Sequence, residues 1–249
     1  MSNDVQLTIF EHLAELRSRL LKSALALLAG TAISLIFAER VLQVLISPLG
    51  DKVPQTIHPT ESFIVYFRVA LIGGVTLAMP VIVYQIVRFM LPGLLPQEKK
   101  YLYSLLPGVF VCFASGVAFA ALVMLPAAIN FLQSFMNTII DNRWTLDNYI
   151  SFVTRVMFWM GIVFQTPLLM FFLAKLNLIT AKKLARFRKY AIVIIAIIAA
   201  VVTPTPDPIN MMIVMLPLML LYEVGVILAR IAVAGRKPSS VEASSSPQS

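Results

Sequence analysis

The chain carries only twelve Asp and Glu among 249 residues, so each acid can be weighed by what stands near it. Glu11, Glu15 and Arg19 form an i, i+4 series whose plainest chemistry is a Glu15–Arg19 helix pair, worth about 0.2–0.5 kcal/mol. Glu98 is the sole acid of the stretch 89–100, beside Lys99 and Lys100. There Pro92-Gly93 favours a turn and Pro96 suits the first position of a helix, leaving Glu98 in a first turn where the dipole favours a carboxylate. Gln165, followed by Thr166 and Pro167, stands in the middle of an apolar run, where a polar side chain most simply glues helices together at about 0.6–2 kcal/mol. Asp207 reads as the cap of a following helix, and Glu223 either sits at a membrane boundary or pairs with a basic loop. No catalytic constellation assembles from these groups. HExxH, GxSxG and P-loop patterns are lacking, and no Ser stands near a Lys or His base. Cys112 is a lone cysteine, and His12 and His58 are far apart, so neither a disulfide framework nor a zinc site is expected. The expectation is a protein that is not an enzyme and holds no metal or cofactor.

The elements that position these groups are membrane helices. The composition is 59% hydrophobic and only 13% charged, whereas soluble domains carry about 25% charge. That excludes an ordinary soluble domain, a disordered chain and a coiled coil. A bilayer core about 30 Å thick asks for about 20 apolar residues per helix. Six runs answer: 20–37, 69–89, 102–132, 150–173, 190–202 and 209–222, the last two only 13 and 14 residues long. Pro80, Pro107, Pro126, Pro167 and Pro217 fall inside spans and predict kinks and a concave bundle. Ile9, Phe10, Leu13, Leu16 and Leu20 keep helical spacing, which predicts an amphipathic entry from about Thr8 along the interface before the chain turns into the bilayer. The first span is not a cleaved signal peptide: acids precede it, no A-x-A site follows promptly, and further spans come after it.

Charge sets the orientation. Of the Lys and Arg residues, fifteen fall on the side shared by both termini and five on the other. Both termini are therefore expected in the cytoplasm, and the net charge of +8 is an orientation signal and not a nucleic-acid footprint. Turn-favouring residues around Pro48-Leu49-Gly50 and Pro54 predict an outer loop over 38–62, with a second at 133–149 and a tight proline hairpin at 203–208. The expected layout is one all-α, six-helix transmembrane domain over 1–234 and a Ser-rich disordered tail over 235–249.

Several stretches together resemble one family. His12-Leu13-Ala14-Glu15-Leu16-Arg17-Ser18-Arg19 is similar to the HLxELRxR opening of TatC, the polytopic subunit of the twin-arginine protein translocase. Phe89-x-x-Pro92-Gly93-Leu94 with Glu98-Lys99 resembles that family's first cytoplasmic loop. Pro48-Leu49, the stretch 61–67, Gly161 through Phe164, Gln165 and Pro167, Thr203-Pro204 with Asp207, and Glu223 with Gly225 follow in the family's order over about residues 9–234. The resemblance implies a multi-pass protein of the bacterial cytoplasmic membrane. It would receive twin-arginine signal peptides of folded cargo and work with TatA- and TatB-type single-span partners, and with further copies of itself, in export driven by the protonmotive force. It further implies that Glu15 and Glu98, with Leu16 and Arg17 beside them, contact the signal peptide. Gln165, Thr203 and Asp207 would meet partner helices or line the interior, while Pro48 and Phe63 would shape the periplasmic loop. A carboxylate suits the planar guanidinium fork better than a lysine ammonium, which fits a code written in arginine. Two positions depart from the pattern: Gln165 stands where the family commonly has Glu, and Met211 where it often has Gln. The competing reading is an ion-coupled small-solute transporter, which calls for ionisable groups at mid-membrane and inverted repeats; the sequence offers Gln165 and no visible repeat.

Overall fold

In the computed structural model, residues 9–50, 54–90, 96–134, 144–176, 178–203 and 208–234 are described, apart from some side chains at helix ends. Among the described residues ten α-helices follow one another: α1 Ile9–Leu35, α2 Ala38–Ile46, α3 Glu61–Met90, α4 Pro96–Phe119, α5 Leu125–Ser134, α6 Leu146–Val163, α7 Thr166–Lys175, α8 Ala181–Arg186, α9 Arg188–Val202 and α10 Pro208–Ala234. Among the described residues the sole β pairing is an isolated bridge between Gln55 and Thr145. Five stretches among the described residues are long and apolar enough to cross a membrane: His12–Leu35, Glu61–Phe89, Leu105–Ser134, Leu146–Lys175 and Met211–Ala232. The fifth expected span lies in α9, whose 15 residues reach only about 22 Å.

Three expectations are corrected. The last helix is not short: α10 runs 27 residues. Glu223 ended the apolar run on paper, but apolar residues resume at Val224 and the helix continues past it, with the Glu223 carboxylate meeting Arg188 at 2.7 Å. The amphipathic entry does not turn before the bilayer, because α1 is one unbroken 27-residue helix. The loop over 38–62 begins with a separate helix, α2, which buries Ala38 and Leu45; a 3-10 turn at Ser47–Leu49 then closes onto Gly50, at φ 63°. That left-handed conformation suits glycine.

Two of the five prolines mark breaks in the helices. A π-turn at Ala120–Met124 separates α4 from α5 just before Pro126, and the α6–α7 junction lies at Phe164–Gln165, ahead of Pro167. Pro167 has no N–H to offer the Val163 carbonyl; the Thr166 hydroxyl donates to it at 2.7 Å instead. Pro80, Pro107 and Pro217 lie inside continuous helices.

The main core is built around α6, which packs chiefly against α3 and α4 and buries Tyr149, Ile150, Val153, Val156, Met157 and Met160. In a bilayer, apolar contact alone drives little association, and small residues let backbones approach closely. α1 meets α3 in this way. A Cβ on Gly30 would lie 2.7 Å from the Gly74 carbonyl oxygen, and one on Gly74 would lie 2.6 Å from the Thr31 nitrogen. This close crossing fixes the register of α1 on α3, and so decides which side chains face each other at the end of the bundle where α1 begins.

Candidate guanidinium-binding site

About three to four helical turns up-chain of the Gly30–Gly74 crossing, α1 brings Glu15 and Arg19 against the last turns of α3. The expected helix pair is present: Arg19 donates from Nε to Glu15 Oε1 at 3.0 Å, and its Nη2 meets the same oxygen. Arg19 also reaches across to α3, where its Nη1 donates to Gln85 Oε1 at 3.2 Å. Gln85 is buried, while the side chains are 12% exposed at Arg19 and 25% at Glu15. A guanidinium is thus held by acceptors on two helices, one charged and one neutral. Ion-assisted bonds of this kind are stronger than neutral ones, and partial burial screens them less than a surface pair.

Aromatic groups flank the pair. His12 stacks on Phe89 with ring centroids 4.4 Å apart. On the next turn Tyr84 and Tyr103, from α3 and α4, lie 2.8 Å apart through their hydroxyls. Arg88 donates to the Tyr84 oxygen at 2.9 Å and lies over its ring at 5.8 Å.

The other site residues expected from sequence fall in different places. Glu98 is the third residue of α4, which begins at Pro96 as the loop pattern implies, but its side chain lies outside the described residues. Leu16 and Arg17 are exposed on α1 and do not take part in the Glu15–Arg19–Gln85 contact. Gln165 donates from Nε2 to the Val109 carbonyl at 2.8 Å, tying the α6–α7 junction to α4. The Thr203 hydroxyl is buried and turned back on its own helix, donating to the Ala199 carbonyl at 2.8 Å. Asp207 lies outside the described residues. Met211 packs against the main core. Pro48 sits in the 3-10 turn, and Phe63 is exposed, its ring 4.7 Å from that of Phe67. Among the described residues no three His, Cys, Asp or Glu side chains converge as a metal would require.

Sequence reasoning missed Gln85. The signal was available: it is the sole Gln or Asn in the run 69–89, and a lone amide in an apolar helix needs a partner. It also missed the clasp at the far end of the bundle, where Arg68 on α3 donates to the Asp147 carboxylate at 2.7 Å and to the Ser151 hydroxyl on α6.

Known proteins match this architecture over most of its length. The family model for the Sec-independent protein translocase protein (TatC) matches residues 11–217. The Sec-independent protein translocase protein TatC of Carboxydothermus hydrogenoformans is 35% identical over 229 residues, spanning 91% of this chain and 94% of the relative. That of Aquifex aeolicus is 37% identical over 233 residues, spanning 91% and 96%. A crystal structure of the twin-arginine translocase receptor TatC superposes with a TM-score of 0.73 at 37% identity, covering 89% of this chain and 99% of the other.

Proposed function

The chain belongs to the TatC family of Sec-independent protein translocase proteins, and from that premise we propose that Glu15 is the carboxylate with which it reads an arginine of a twin-arginine signal peptide. It is a translocase component of the twin-arginine pathway and not an enzyme. The observation that carries the reading is the seat itself: a three-quarters buried carboxylate, at the start of the first span, already engages a guanidinium. Glu98 is the second reader, supported by its place in the first turn of α4, at the same end of the bundle as the last turn of α3. Leu16 and Arg17, exposed beside Glu15, form the surface on which the peptide lies.

The remaining parts of the reading follow from charge and length. α9 crosses as a sixth, short span, both termini face the cytoplasm where the fifteen Lys and Arg gather, and the membrane is a bacterial inner membrane. The domain extends over 1–234, with 235–249 as a cytoplasmic tail. A span about 10 Å under the bilayer thickness thins the membrane or recruits partner helices, which suits TatA- and TatB-type single-span proteins and further copies of the chain. Gln165, Thr203 and Asp207 line the partner-facing interior, and Pro48 and Phe63 shape the periplasmic loop. Gln165 serves there as a neutral hydrogen-bonding group. The test is photocrosslinking of a twin-arginine signal peptide to the full-length protein in membranes: Glu15→Ala and Glu98→Ala each abolish it with membrane insertion intact, and undiminished crosslinking in both variants refutes these site residues.

A further inference from the structure

The guanidinium that marks the seat belongs to the chain itself. We infer that Arg19 is a built-in stand-in for a signal-peptide arginine, that the seat it occupies is a two-acceptor cradle of Glu15 and Gln85, and that peptide binding proceeds by displacing Arg19. The inference rests on the reading of Glu15 proposed above and adds to it a competitor and a second acceptor.

Three observations carry it. First, Arg19 uses three separate nitrogens, Nε and Nη2 on Glu15 and Nη1 on Gln85, so the spacing of the two acceptors matches a planar fork and not a single ammonium point. Second, both of its bonds to Glu15 converge on Oε1, and Oε2 accepts none among the described residues. An incoming guanidinium can therefore engage Oε2 before Arg19 leaves Oε1, and the carboxylate is never stripped of its counter-charge during the exchange. Third, Gln85 comes from α3, whose register against α1 is set by the Gly30–Gly74 approach. The Gln85 half of the cradle is thus placed by the packing of α3 on α1, while Arg19 reaches it only through its own side chain.

The arrangement has a use in selectivity. An empty carboxylate amid so many cytoplasmic positive charges attracts any cation, whereas one already paired yields only to a ligand that supplies the same fork. The seated Arg19 lowers apparent affinity in proportion to the fraction of molecules in which the cradle is free. If it is seated in half to nine-tenths of molecules, removing it tightens peptide binding about two- to tenfold.

The experiment measures the concentration dependence of crosslinking of a synthetic twin-arginine signal peptide to full-length protein in membranes, for wild type, Arg19→Ala, Arg19→Lys, Gln85→Met, Gln85→Glu and Glu15→Ala. Arg19→Ala is expected to bind about two- to tenfold more tightly, with Arg19→Lys in between, since an ammonium competes for Glu15 but does not span to Gln85. Gln85→Met is expected to bind several-fold more weakly, and Gln85→Glu, which keeps the acceptor oxygen, at least as tightly as wild type. Unchanged or weaker binding in both Arg19 variants, with Glu15→Ala still abolishing crosslinking, overturns the displacement idea and leaves the carboxylate reading standing. Equal losses in Gln85→Met and Gln85→Glu overturn the role of Gln85 as an acceptor. Crosslinking retained in Glu15→Ala removes the underlying reading, and the inference with it.

Discussion

The two ends of the α1–α3 pair are held together by different kinds of contact. At the end where α1 begins, the bond between helices is made by side chains alone: Arg19 reaches from Glu15 to Gln85. At the opposite end, beside the Arg68–Asp147–Ser151 clasp, side chains also lock onto backbone. The Tyr149 hydroxyl, fully buried, donates to the Leu45 carbonyl at 2.6 Å, and Tyr66 donates to that of Leu35 at 2.6 Å. The Glu61 carboxylate accepts from the Ile57 and His58 N–H groups at 3.1 and 3.2 Å, and Gln55 pairs with the Trp144–Leu146 segment through two backbone bonds of 2.9 Å. A backbone carbonyl has no substitute partner once it is buried, so such contacts are costly to break. A carboxylate paired to an arginine can exchange one guanidinium for another at little net cost. One end is braced and the other is exchangeable, which is what a receptor anchored in a membrane needs.

That contrast can be broken most forcefully at the braced end. Tyr149→Ala removes a fully buried ring and orphans the Leu45 carbonyl; a loss of about 3–5 kcal/mol is expected, read as a large fall in the Tm of the detergent-solubilised protein. Gly74→Ala tests the crossing between the ends: its Cβ would stand 2.3 Å from Thr31 Oγ1, and overpacking of this kind costs about 1–3 kcal/mol. It should also weaken peptide crosslinking, because α1 can no longer hold Glu15 and Arg19 in register with Gln85.

Gln165→Glu sharpens the comparison in mid-membrane. An ionised carboxylate cannot donate to the Val109 carbonyl, so the variant should lose about 1–2 kcal/mol of stability at pH 8. The protonated carboxyl can donate, so the loss should shrink as pH falls below the carboxyl's own titration, visible as a Tm that recovers towards wild type at low pH. The smallest effect is expected at the Arg188–Glu223 pair, whose side chains are 48% and 44% exposed. Arg188→Gln should cost under about 1 kcal/mol, and a larger fall in Tm would mean that the α9–α10 hairpin depends on that contact.

Much of this was legible in the residues. Four of the membrane helices followed from apolar runs, the Glu15–Arg19 pair from its spacing, and the start of α4 from Pro96. The family came from the opening motif and the Pro92-Gly93 loop taken together. Part of what was not legible depends on partners distant in sequence. Glu223 looked like the end of a span because composition treats a charge as a boundary, whereas the apolar residues from Val224 carry the helix on and the charge meets Arg188, 35 residues away. Gln85 was passed over because an amide in an apolar run has no meaning until its partner on α1 is known. The separate helix α2 was hidden because turn residues at its end, Pro48 and Gly50, dominated the reading of the loop.

The central claim is that the Glu15 carboxylate discriminates an arginine fork from a lysine point charge. The most direct measurement compares crosslinking of a twin-arginine signal peptide with that of its twin-lysine counterpart, for full-length wild type and Glu15→Gln in membranes. The account predicts a strong preference for arginine in wild type that collapses towards parity in Glu15→Gln, with little change in Tm. A preference for arginine that survives in Glu15→Gln undiminished would contradict it.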